Sequence, residues 1–211
     1  MCGRFYVEPT DPLIREFLEQ ANRSPLARRF RGRNGQPVPA SGEITPTAVV
    51  PVIALNRRRE QRVFPMRWGF VLKSASGQGS GRLMINARME TAAEKPMFRE
   101  AWRTRRCVIP ASWYFEWEHR TLADGKKETG RKYAIQPRDR QVTWLAGLYR
   151  MEEDVPVFAI LTRAPSEDVS WMHDRMPLML PESDVSRWLS PQEDPAMTAL
   201  SAVTSLTYRE A

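Results

Sequence analysis

The alternation of apolar and polar residues divides the chain into many short extended segments with few helices between them. Residues 2–7 read as a strand entering a turn. Leu13, Ile14, Phe17, Leu18 and Ala21 then recur at helical spacing. Asp11 is placed to cap that helix and Pro12 occupies its first position. Residues 22–43 lose this periodicity and carry Arg23, Arg28, Arg29, Arg31 and Arg33, which predicts a basic loop. The Val-rich run 48–55 reads as a buried strand, and 62–72 as another. A Gly/Ser loop at 74–81 precedes a strand over 83–88. Phe98 and Trp102, four apart, mark a short helix. The most aromatic strand covers 107–118, where Trp113, Phe115 and Trp117 alternate with Tyr114 and Glu116. Two readings of Glu116 stand: a partly desolvated acid suited to proton transfer, or a carboxylate on the solvent face.

Further along, Ala123-Asp124-Gly125 predicts a hairpin turn. Residues 133–136, 142–149 and 155–161 read as three strands, consecutive antiparallel neighbours. Ser166 is placed to cap a short helix with Glu167 and Asp168 in its first turn. Pro177 forbids its continuation. A short strand over 178–180 and small helices over 183–189 and 195–203 complete the pattern. The prediction is an α+β fold: one domain over 1–211, with a core about 2–190 and a peripheral segment 191–211. Its sheet is predominantly antiparallel and barrel-like, with peripheral helices.

Composition narrows the function. The chain has 211 residues, 42% of them hydrophobic, enough for a sizeable core. Its net charge of +7 comes from 32 Lys and Arg against 25 Asp and Glu, a balance that favours polyanions, nucleic acid above all. Two cysteines are too few for a disulfide framework and point to a reducing compartment. The start has no signal-peptide pattern, and no run approaches the ~20 apolar residues of a membrane span. The expectation is a cytoplasmic monomer, nucleoid-associated if bacterial. No phosphate-cradling Gly motif and no paired Cys or His spacing is present, so neither cofactor nor metal is expected. Cys107, in an apolar strand, reads as an inert buried thiol. His119 receives no role.

The distinctive chemistry lies at Cys2. Once Met1 is removed, Cys2 carries an α-amine and a thiol on adjacent carbons, with ordinary pKa values of about 7.7–8.0 and 8.5. Such an aminothiol can trap an aldehyde as an imine and then as a five-membered thiazolidine. With Met1 attached the nitrogen is an amide and the ring cannot close. Spacing alone leaves open whether Cys2 is reactive or simply an early strand residue.

Four motifs then stand in order: Met1-Cys2-Gly3-Arg4-Phe5; Ile85-Asn86-Ala87-Arg88-Met89-Glu90-Thr91; Cys107-Val108-Ile109-Pro110-Ala111 leading to Tyr114-Phe115-Glu116-Trp117; and His173-Asp174-Arg175-Met176-Pro177. Together they resemble the SOS-response-associated peptidase (SRAP) family, the abasic-site processing proteins, over roughly residues 2–190. The resemblance implies covalent capture of the ring-opened abasic-site aldehyde in single-stranded DNA through Cys2. It implies catalytic roles for Cys2, Asn86, Glu116 and His173, and DNA contacts at Arg4, Trp68, Arg88, Trp117 and Arg175. The family name also carries a peptidase activity, and a lyase activity is conceivable. A cysteine peptidase, including one limited to self-processing, and a non-covalent single-strand-binding module are the alternatives. The chain departs from the family pattern at Gly42–Thr47 and at Trp113, which bears on the shape of the groove.

Overall fold

A computed structural model describes residues 2–30, 40–72, 81–121, 127–138 and 141–211. The strands are, in order, β1 (Arg4–Val7), β2 (Gly42–Ile44), β3 (Val49–Leu55), β4 (Gln61–Trp68), β5 (Phe70–Leu72), β6 (Arg82–Met84), β7 (Asn86–Arg88), β8 (Arg106–Ala111), β9 (Trp113–Thr121), β10 (Lys127–Pro137), β11 (Thr143–Glu152), β12 (Val155–Arg163), β13 (Met176–Pro177), β14 (Met179–Leu180) and β15 (Leu206–Glu210). The helices are α1 (Pro12–Arg23), α2 (Met89–Ala92), α3 (Pro96–Thr104), α4 (Val185–Leu189) and α5 (Pro195–Ala199).

β3, β4, β12, β11 and β8 close into a barrel. β4 pairs with β12 in parallel, and the pairs β12–β11, β11–β8, β8–β3 and β3–β4 are antiparallel. Closure leaves the barrel wall without an unpaired edge between these strands. Its strands are rich in Val, Ile, Leu and Ala, and every residue of β8 is buried. One face of β8 lines the barrel. The other is covered by α3 and α4, where the Trp188 indole donates to the Cys107 carbonyl at 3.0 Å. Arg106, also buried, donates to the Trp102 and Trp188 carbonyls, so its charge sits in a cage of backbone oxygens.

A second sheet runs β15-β10-β9-β1-β2. The expected α+β architecture with a mainly antiparallel, barrel-like sheet is therefore present, and the helices lie outside it. α1 forms as its sequence indicates: Asp11 accepts hydrogen bonds from the Leu13 and Ile14 amides, and Ile14 and Ala21 are buried.

Several local expectations change, each for a physical reason. The run 62–72 is two strands, because Gly69 breaks it at φ +115°. A Cβ there would stand 2.6 Å from Leu83 Cδ1, so only glycine fits. The run 83–88 also divides at Ile85: β6 pairs with β5, whereas β7 pairs in parallel with β12. Residues 127–137 join β9 and β15 rather than β11, so only β11 and β12 of the three expected neighbours pair with each other. Residues 167–172 form turns instead of a helix, and the buried Ser166 hydroxyl makes no capping bond. The C-terminal tail, expected to be peripheral, ends in β15, the edge strand paired to β10 through Leu206–Glu210. The 123–125 turn, Arg31 and Arg33 of the basic loop, and most of the Gly/Ser loop lie outside the described residues.

Candidate active site

The break at Ile85 sets the position of Asn86. The Ile85 carbonyl accepts from the Trp68 indole at 2.9 Å and from the Ile160 amide at 3.0 Å. Asn86, in register with Ile160, is thereby fixed at the start of β7. Its Nδ2 donates to the Cys2 carbonyl at 2.8 Å. Its buried Oδ1 has no hydrogen-bond partner among the described residues. β1 pairs with β9, Arg4 opposite Phe115 and Phe5 opposite Tyr114. One step further in that register sets Glu116 opposite Gly3, beside Cys2. Of the two readings of Glu116 the buried one holds: the residue is 4% exposed.

His173 arrives from the turn before β13, and a staple holds that turn. Arg175 forks onto Glu90 of α2, both contacts at 2.8 Å, and donates to the Thr162 carbonyl of β12 at 2.6 Å. The Arg175 amide donates to His173 Nδ1 at 3.0 Å, and Asp174 Oδ1 lies 2.6 Å from the same nitrogen. With Nδ1 engaged on its own turn, the ring presents Nε2 to the site. The ion pair with Arg175 lowers the Glu90 carboxyl below its ordinary range.

The electrostatics agree with this proximity. Cys2 is fully buried, and burial pushes its thiol far up, with the Glu116 carboxylate acting in the same direction. Tyr114, buried beside them, is also raised, by burial first and then by Cys2 and Glu116. Burial lowers the His173 imidazole, and Glu116 partly opposes that shift. All four residues expected to be catalytic, Cys2, Asn86, Glu116 and His173, therefore converge from four separate stretches of the chain. A fifth group went unassigned in the sequence. The His119 ring meets the His173 ring edge to face, with centroids 5.0 Å apart. Glu116, His119 and His173 bring donor atoms within 4.8 Å of one another. Glu-x-x-His on a regular strand puts the two side chains on opposite faces. A bulge in β10 between Thr129 and Lys132 interrupts the pairing next to His119, and bulges raise local twist.

The expected DNA contacts divide. Arg4 and Trp117 share an outward face of the second sheet, with the guanidinium 5.8 Å from the indole centroid. Lys132 joins them, 3.8 Å from the Phe115 ring centroid. Glu43, in the departing segment Gly42–Thr47, bridges Arg4 at 2.6 Å and Lys132 at 2.8 Å. Trp113, the other departure, stacks on Tyr6 at 4.5 Å beneath Arg209. Arg88 is exposed. Trp68 corrects the expectation: it is 0% exposed and packs between Phe5 and Phe158, a core residue with no face for a base. Arg175 is corrected too. Its side chain is 14% exposed and its fork is occupied by Glu90, so it positions His173 and does not offer itself to a phosphate.

The comparisons with known proteins point one way. The abasic site processing protein YoaM of Bacillus subtilis (strain 168) is 31% identical over 198 residues, covering 91% of this chain and 80% of that protein. YoqW of the same organism is 32% identical over 200 residues, covering 91% and 81%. A crystal structure of a protein from Bacteroides thetaiotaomicron superposes with a TM-score of 0.73 over 99% of this chain and 91% of that one, at 21% identity, which shows the shared fold. Residues 1–210 match the family described as SOS response associated peptidase (SRAP), and the chain belongs to that family.

Proposed function

We infer that this protein captures abasic sites in single-stranded DNA by closing a thiazolidine on Cys2 after loss of Met1. The observation that carries the reading is the gathering of Asn86 and Glu116 on Cys2, with His173 beside Glu116. Curated relatives named abasic site processing proteins support it.

The steps balance on this chain's groups. The Cys2 amine adds to the aldehyde carbon of the ring-opened sugar and gives a carbinolamine. Loss of its hydroxyl as water leaves an imine. Sγ then adds to the imine carbon and the nitrogen takes up the thiol proton, so one water leaves in all. Opening the sugar ring and expelling water both need a proton donor, a role open to His173. Glu116 stands beside the thiol to relay its proton as the C–S bond forms. Asn86 holds the Cys2 carbonyl, and its Oδ1 remains available to a sugar hydroxyl or the new N–H. Arg4 and Arg88 suit the phosphates, and Trp117 suits a flanking base.

Burial, and then the Glu116 carboxylate, push the Cys2 thiol upward and favour its protonated form. That disfavours a thiolate–imidazolium peptidase, whose nucleophile is ionised beforehand. The test uses the processed protein and a single-stranded oligonucleotide with one abasic site, followed by denaturing electrophoresis. Wild type is expected to give a stable adduct. Cys2→Ala and a form with an extended N-terminus are expected to give none. A full yield of stable adduct from Cys2→Ala overturns the reading, as does wild-type binding without any adduct.

A further inference from the structure

We propose that Glu116, His119 and His173 form a binding site for a zinc-class divalent transition metal, and that the bound metal holds the protein inactive. The three donor atoms lie within 4.8 Å of one another. Two imidazoles and one carboxylate make a ligand set that suits zinc and its first-row neighbours, whereas calcium and magnesium prefer oxygen throughout. The surroundings favour a cation. Glu116 places a carboxylate where it is 4% exposed. His173 Nδ1 lies 2.6 Å from Asp174 Oδ1; in the tautomer that donates its Nδ1 proton to that carboxylate, in place of accepting from the Arg175 amide, Nε2 carries the lone pair a metal needs.

The geometry is an open form of such a site. Ligands about 2.0–2.1 Å from tetrahedral zinc stand roughly 3.4 Å apart, so the donors need to close by a little more than an ångström. His119 is exposed while Glu116 is buried and His173 half-buried, so rotation of the His119 ring supplies the movement. A metal held here occupies Glu116 and His173 together and removes both proton carriers. The site rests on geometry alone. Only the inhibitory effect rests on the capture reading.

The decisive experiment needs no DNA in its first arm. The processed protein, stripped with chelator, is titrated with zinc by calorimetry and with cobalt by visible absorption. One equivalent per chain and a four-coordinate cobalt spectrum are expected. His119→Ala, a substitution at an exposed position, should weaken binding at least tenfold with an unchanged far-ultraviolet spectrum. Absence of stoichiometric binding, or equal affinity in His119→Ala, overturns the site. In the second arm, zinc should suppress adduct formation and chelator should restore it. Capture unaffected by saturating zinc overturns the inhibitory role. A protein that binds zinc yet never captures an abasic site supports the metal site and sinks only the capture reading.

Discussion

The two cysteines make a controlled comparison within one molecule. Cys2 and Cys107 are both 0% exposed, and burial pushes both thiols upward. Their neighbours differ. Cys107 lies in the barrel wall among apolar residues, and burial is the one cause of its shift. Cys2 sits where β1, β7 and β9 meet, beside the Asn86 amide and the Glu116 carboxylate, and the imidazoles of His119 and His173 gather on that same carboxylate. Burial therefore does not distinguish the two thiols. What separates them is whether polar groups from different elements have been brought out of water to the same point, at a desolvation cost that a core does not bear without return.

The largest expected effect pairs the two surroundings. Glu116→Gln should slow adduct formation by roughly 100- to 10,000-fold, the usual range for a lost proton carrier. Cys107→Ala should leave the rate unchanged and cost about 1 kcal/mol of stability. Single-turnover kinetics and urea denaturation read the two outcomes, and a slow Cys107→Ala would break the contrast. Two tryptophans extend it. Trp68→Ala should cost roughly 3–5 kcal/mol of stability as an excavated core. Trp117→Ala should leave stability nearly intact and cost about 1–3 kcal/mol of single-stranded DNA affinity. The smallest effect concerns pH. His173 titrates below its ordinary 6.5 when folded, so the unfolded chain takes up that proton first. Stability should then decline as pH falls through 6.5 and level off below the folded value. Denaturation midpoints across that range should show a flatter slope in His173→Gln.

Much of this was legible in the chain, and the gaps have physical causes. Asn86, Glu116 and His173 stand in motifs, and the structure brings all three to Cys2. The strands are legible from their alternation, but alternation names no partners and points β10 to the wrong neighbours. Trp68 illustrates the same limit. A tryptophan in a strand reads alike whether its face meets solvent or core, and its burial depends on Phe5 and Phe158, distant in sequence. Arg175 looked like a free cation because Glu90, its partner, lies far back in the chain. Metal-ligand spacing in a sequence pairs cysteines and histidines that are near one another. Of the three donors grouped here, two share a strand and the third comes from a turn far downstream.

The carbonyl of Ile85 answers two donors, one from β12 in the wall of the barrel and one from the buried indole of Trp68. Asn86, the very next residue, has no freedom of its own as a result. Any activity that depends on Asn86 should therefore be lost with global melting rather than before it, because this part of the molecule has no melting temperature separate from that of the domain. Heat-sensitive alleles are to be sought in the barrel wall.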